Sequence, residues 1–181
     1  MNPVCRTPNT SLMLILSAWP AFGMNALAQA LAGNGWPVTG SDRYADEGQD
    51  LDVLRKLELA GVRLVPQNGS GVTGATQAVV VSTAIESDNP ARQAAERLGV
   101  PIRHRSEMLA GLLQGKRCQA VAGTSGKTTV TGMVGWILEQ AGLDPTVVNG
   151  GSILNWMDER RVGSVRFTPF PLHFNVLPTS L

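Results

Sequence analysis

A chain of 181 residues with 43% hydrophobic and 16% charged residues can bury a core and carries too little charge to stay disordered. Its net charge of +1 leaves no broad basic surface, so nucleic acid is excluded as the expected partner and a small molecule is favoured. The two cysteines, Cys5 and Cys118, form neither a metal-ligand spacing nor a disulfide framework, which fits a reducing, cytoplasmic setting, and no apolar run reaches the ~18 residues of a membrane span.

The N-terminus admits two readings. Arg6, then "LMLILSAWPAFG", then "ALAQA" mimics the charged start, apolar middle and small-residue cleavage site of a signal peptide. In the competing reading "LMLILSA" is a buried first strand and "GMNALAQALAGNGW" the helix after it, with Leu27, Ala30 and Leu31 at helical spacing. The second reading accounts for the downstream pattern, in which strand-type runs alternate with helical ones. "PVTGSD" (37–42) and "VRLV" (62–65) read as strands and "DLDVLRKLELAG" (50–61) as a helix closed by glycine. "QAVVVST" (77–83) is continuous and β-branched, as expected of a strand buried on both faces of a parallel sheet. "NPARQAAERLG" (89–99) opens with proline and stops at glycine, and "PIRHR" and "SEMLAGLL" add a strand and a helix. The pattern predicts an α/β fold: a Rossmann-like parallel-sheet domain over residues 1–113, followed over 114–181 by the start of a P-loop ATPase domain.

Ligands of such sheets sit outside the carboxyl ends of the strands, so "GSD" (40–42) and "STAIESDNP" (82–90) should face one crevice. Asp42 and Asp88 there are either ligand contacts or caps of turns and helices. The glycine-rich first turn of a dinucleotide fold is not found; "SAWPAFG" stands in its place, so the phosphate cradle is missing or remodelled.

After the connector "LLQGKRC", apolar "AVA" leads into Gly123, Thr124, Ser125, Gly126, Lys127, Thr128 and Thr129, and then a helix. A strand, a glycine turn and a helix N-terminus aim backbone N–H groups and the positive end of the helix dipole at an anion. Lys127 adds a full charge for β- and γ-phosphate, and the Thr128 hydroxyl is a candidate Mg²⁺ ligand. The spacing G-x-x-G-K-T is shorter than the common P-loop, which disfavours a small P-loop kinase. Val130, Met133, Val134, Ile137 and Leu138 share one helical face and are expected to be buried against a sheet.

The stretch "AVAGTSGKTTVTGMVGWILEQAGLDPTVVNGG" resembles the ATP-binding segment of the Mur ligases, which join amino acids to UDP-N-acetylmuramic acid during peptidoglycan synthesis. "ALAQALAGNGWPVTGSD" and "VVVSTAIESDNPARQAAERLGVPIRHRSEMLAGLL" resemble the branch that adds L-alanine, and the resemblance runs from about Gly23 to Trp156. It implies an N-terminal domain for the UDP moiety of UDP-N-acetylmuramate, a central ATPase domain and a C-terminal domain. In the family, ATP phosphorylates the muramoyl carboxylate and the amine of L-alanine attacks the acyl phosphate. Carried over by position, Gly123 to Thr129 would hold the phosphates of ATP, with Lys127 on the transferred phosphate as the catalytic group and Thr128 on Mg²⁺. Ser41, Asp42, Ser82, Thr83, Ala84 and Ile85 would lie by the uridine end of the substrate.

Two stretches depart from that pattern. The first 22 residues lack the pyrophosphate turn, and "RFTPFPLHFNVLPTSL" (166–181) has neither period 2 nor period 3.6. Both ends are therefore expected to have been altered, by frame change or truncation, in a gene that once continued, and 166–181 is expected to be loosely packed. The adenine pocket, the further Mg²⁺ ligands and the amino-acid site of the family are not found. Two functions are open: the N-terminal part of a muramate:alanine ligase, inactive alone, or a non-catalytic remnant that binds nucleotide or UDP-sugar.

Overall fold

The computed structural model describes residues 11–15, 22–48, 52–159, 161–166 and 174–178. In chain order, β1 (Ser11–Ile15), α1 (Phe22–Gly33), β2 (Val38–Ser41), a single helical turn α2 (Arg43–Asp46), α3 (Asp52–Leu59) and β3 (Val62–Val65) come first. Then come β4 (Thr76–Val81), α4 (Pro90–Leu98), β5 (Ile102–His104) and α5 (Arg105–Leu113). The five strands form one parallel sheet in the order β3-β2-β1-β4-β5, the doubly wound arrangement in which strand order reverses beside the first strand. The predicted Rossmann-like domain is thus present.

The sequence dictates this layering through the two-residue period of a strand. Leu12 and Leu14 of β1 and Ala78 and Val80 of β4 point to one face, where Met24, Leu27 and Leu31 of α1, Leu54 and Leu57 of α3 and Met108 of α5 cover them. Met13, Ile15, Val79 and Val81 point to the other, against Ala91, Ala94 and Ala95 of α4. Both faces being covered, the strands read as unbroken apolar runs. Each fully buried large side chain here contributes about 1.5–3 kcal/mol of transfer free energy.

Local signals set the boundaries. Asn89 caps α4, its side chain accepting from Ala91 N (3.0 Å) and Arg92 N (3.3 Å), with Pro90 in the first turn and Gly99 closing it at φ 65°. Asp88, a candidate cap in the sequence, lies one residue before that cap in an exposed turn.

The second half begins with β6 (Arg117–Val121), followed by α6 (Lys127–Gln140), β7 (Thr146–Val148), a 3₁₀ turn at Leu154–Trp156, β8 (Val165–Arg166) and β9 (Phe174–Pro178). Its sheet runs β6-β9-β7-β8, with β9 parallel to both neighbours and β8 antiparallel to β7. The strand expected at 120–122 starts three residues earlier, because Arg117 and Cys118, read as connector, and Gln119 after them are strand residues at a sheet edge with exposed side chains. Nor is the tail uniformly loose: its backbone at 174–178 enters the middle of this sheet, which counts against the expectation for 166–181. Cys5, residues 17–21 of the "SAWPAFG" turn and the stretches 167–173 and 179–181 lie outside the described residues.

Arg166, where the atypical text begins, is a structural clasp. Its guanidinium donates to Glu139 Oε1 (2.9 Å), Pro145 O (2.8 Å) and Asp144 Oδ1, and the Trp156 indole donates to the other Glu139 oxygen. Partial burial pulls the Arg166 pKa down, but the bonds to Asp144 and Glu139 outweigh it and leave the pKa raised.

The expected burial of the α6 face is corrected in part. Val134 and Leu138 are half-buried in a cluster with Val147 and Trp156, but Val130, Met133 and Ile137 are 45%, 60% and 63% exposed. The helix meets its sheet along Thr131 and Gly135 instead, since a Cβ on Gly135 would lie 2.8 Å from Val147 Cγ2. Only a glycine permits that approach, so the contact line runs along the small residues and the stripe of Val130, Met133 and Ile137 faces away.

One element joins the halves. While α1 turns Met24, Leu27 and Leu31 to the first sheet, Ala26 and Ala30 on its other side pack against Val165 and Val148. Gln29 Nε2 donates to Ser164 Oγ at 3.4 Å beside them. The periodicity of Leu27, Ala30 and Leu31 read from the sequence is therefore shared between two cores.

Candidate nucleotide sites

Two groups of residues lie at strand ends, where an α/β sheet places its ligands. The first is at the carboxyl edge of the parallel sheet. Ile15, the last residue of β1, is in register with Ser41, while β4 on the other side of β1 delivers Ser82 to Ile85 to the same edge. Ser41 and Asp42 are fully buried, Ser82 nearly so, and Thr83 and Ala84 are exposed. Ile85 packs with the core under α4, and its N–H donates to Ser82 O (3.1 Å), closing a turn.

Asp42 does act as a cap: Oδ1 accepts from Tyr44 N (2.8 Å) and Ala45 N (3.3 Å) at the start of α2. Its Oδ2, however, is buried with no hydrogen-bond partner, as is Ser41 Oγ. Buried polar atoms normally find partners, so these two oxygens leave capacity for a polar ligand. Arg105, at the carboxyl end of β5, was not singled out from the sequence. A Cβ on Gly23, in the first turn of α1, would collide with Arg105 Nη1, so the guanidinium lies against the start of that helix. No sequence signal joins residues 82 apart; only the crossover topology does.

The second group is the loop between β6 and α6. Gly123 and Gly126 have φ of 155° and 77°, and the left-handed Gly126 turns the chain into the first turn of α6. Val130 N bonds Gly126 O (2.9 Å), so the N–H groups of the preceding turn are left for a ligand. Thr124, Ser125, Gly126, Thr128 and Thr129 are exposed. Lys127 folds back, its Nζ donating to Gly123 O (2.5 Å) and Thr124 O (3.1 Å), so the loop carbonyls hold the charge at the helix N-terminus.

Beside the loop, Asn149 is buried, donates from Nδ2 to Thr128 O (3.2 Å) and accepts at Oδ1 from Gly150 N (2.9 Å). A Cβ on Gly151 would come within 2.9 Å of Thr128 Cγ2. The segment Asn149–Gly151 thus props the first turn of α6. The "VVNGG" turn signal was its trace in the sequence, without saying what it supports.

The loop's chemistry fits a polyphosphate: free N–H groups, a helix N-terminus and a movable ammonium. For Mg²⁺ the fit is thin. Thr128 offers one hydroxyl, and among the described residues no group of three His, Cys, Asp or Glu is placed to hold a metal.

A doubly wound parallel sheet is thus followed by a glycine–lysine loop at a helix N-terminus on a second sheet, an α/β arrangement. The Mur ligase family, catalytic domain, matches residues 21–117, more than half of the chain, and the chain belongs to that family. It is 45% identical over 131 residues to a UDP-N-acetylmuramate–L-alanine ligase of Arthrobacter sp., covering 72% of this chain and 27% of that protein. Against the ligase of the same name from Bradyrhizobium diazoefficiens it is 46% identical over 143 residues, 78% of this chain and 29% of the relative. The UDP-N-acetylmuramate-alanine ligase structure from Thermotoga maritima superposes with a TM-score of 0.74 at 26% identity, covering 92% of this chain and 37% of that one. The chain therefore spans less than a third of the length of these two sequence relatives. No helix among the described residues is long and apolar enough to cross a membrane.

Proposed function

We propose that this chain is the N-terminal portion of a cytoplasmic, ATP-dependent ligase that joins L-alanine to UDP-N-acetylmuramate in peptidoglycan biosynthesis, and that it does not ligate alone. The observation that carries the reading is the order of its parts: a carboxyl sheet edge with orphaned oxygens on Ser41 and Asp42, then the Gly123–Thr129 loop on a second sheet. The names of the similar ligases supply the substrate pair.

In this reading Ser41, Asp42 and the Ser82–Ile85 turn hold the uridine end of the substrate. Gly123 to Thr129 hold the phosphates of ATP, Lys127 exchanges the Gly123 and Thr124 carbonyls for phosphate oxygens, and Thr128 gives one ligand to Mg²⁺. ATP, when bound, supplies the phosphoryl group that activates the muramoyl carboxylate. The thin metal set favours the binding-module behaviour of the isolated chain, because phosphoryl transfer relies on a positioned metal and on transition-state charge stabilisation.

Calorimetric titration with ATP, with and without Mg²⁺, tests the assignment on the unaltered chain and on Lys127→Ala. The expected result is millimolar-range, Mg²⁺-sensitive binding that the substitution abolishes, with no alanine-dependent phosphate release. Equal affinity in the two proteins would reject the loop, and ligation by the lone chain would reject its incompleteness.

A further inference from the structure

The sequence writes the pair Asn-Gly three times, at Asn34–Gly35, Asn68–Gly69 and Asn149–Gly150. Such a pair carries its own chemistry: the backbone nitrogen of the glycine can attack the side-chain carbonyl of the asparagine, because glycine has no Cβ to obstruct the approach. The fold treats the three pairs differently. At the first, both partners are engaged, Asn34 Nδ2 donating to Ala30 O (2.9 Å) and Gly35 N to Ala32 O (2.8 Å). At the third, Asn149 is only 2% exposed, its Nδ2 donates to Thr128 O, and the Gly150 N–H is taken up by the amide oxygen. The second pair is set up for reaction. Asn68 is exposed in the connection between β3 and β4, and Gly69 N donates no hydrogen bond among the described residues. Ser70 N donates to Asn68 Oδ1 at 2.9 Å. Negative charge collects on that oxygen as Asn68 Cγ becomes tetrahedral, so the donor lies where an oxyanion needs it. The same bond closes an Asx turn around the Gly69 nitrogen, next to the amide it attacks.

We propose that Asn68 is a self-modification site that converts to isoaspartate, and that the product loosens the β3–β4 loop from α4. Gly69 N bonds to Asn68 Cγ and gives up its proton, and Nδ2 leaves as ammonia. Water then opens the cyclic imide at the main-chain carbonyl, so that the chain runs through the former side chain. No oxidant or reductant takes part. The product has an added methylene in its backbone, and the loop has no room for it. Gly69 is buried at φ 86°, and a Cβ on it would lie 2.7 Å from Pro90 O and 3.3 Å from Ala94 Cβ. On the other side Gln67 N is tied to Asp46 Oδ2 (2.7 Å), so the added length is not taken up there. The chemistry does not depend on the ligand assigned to either sheet.

The folded chain is incubated in mildly alkaline buffer and digested at intervals, and peptide mass spectrometry follows each Asn-Gly pair. A gain of about one dalton with an isoaspartyl fragmentation pattern is expected at Asn68. It should appear about tenfold faster there than at Asn34 or Asn149, and the three rates should converge in urea, where the fold no longer separates them. An unmodified Asn68, or equal rates at the three pairs in the folded chain, overturns the proposal. Hydrogen exchange reads the loosening: the first amides of α4 should exchange faster in the isoaspartyl chain, whereas Asn68→Asp, which brings the charge without the methylene, should keep the exchange of the fresh chain. Equal protection in the isoaspartyl and fresh chains overturns the loosening, and an Asn68→Asp chain that exchanges as fast as the isoaspartyl one overturns the lengthened backbone as its cause.

Discussion

The two halves of the molecule are written in the same alternating pattern and packed differently. In the first, α1, α3 and α5 cover one face of the sheet and α4 the other, and Leu12 to Ile15 are sealed from solvent. In the second, one helix rests on a four-stranded sheet by a glycine, and its Val130, Met133 and Ile137 face out. Periodicity therefore reports how many apolar sides an element has, while burial depends on how many neighbours are present to meet them.

Substitutions at four positions break or sharpen that contrast. The largest effect is expected from Ile15→Ala, which empties a site with 0% exposure in the central strand and should cost about 2–5 kcal/mol in urea unfolding. Gly135→Ala forces a methyl group toward Val147 and Trp156 and should cost about 1–3 kcal/mol, read as faster hydrogen exchange in β7. Asp42→Ala removes the cap of α2 at about 0.5–2 kcal/mol, whereas Asp42→Asn should keep most of the stability. If the Asn variant also keeps full UDP-N-acetylmuramate affinity in titration, Asp42 is a cap alone and its place in the crevice assignment falls. Smallest of all is Ile137→Ala, the same truncation as the first but on the open stripe, which should stay within about 0.5 kcal/mol. A cost comparable to that at Ile15 would show that the second half is covered after all.

Legibility in the sequence divides along the same line. β1 and β4 were legible because burial on both faces writes an unbroken apolar run, and α4 because Asn89, Pro90 and Gly99 punctuate it chemically. The glycine–lysine loop before α6 was legible because its parts are contiguous. Illegible were the first residues of β6, whose exposed edge carries polar side chains, and β9, whose pairing comes from distant partners. Arg105 and Asn149 escaped because what places them beside Gly23 and Thr128 is chain crossover, which no local pattern records. The outward stripe of α6 was misread for a related reason: the sequence showed an apolar face without showing that Gly135 would draw the helix in on another side.

The alanines of α1 have a mechanical consequence. Ala26 and Ala30 are about one helical turn apart, about 6 Å along the axis, and the rim of the second sheet sits against both through Val165. Methyl side chains let the rim come close to the helix backbone, so a bulkier residue at Ala26 or Ala30 would prise the second sheet away from α1.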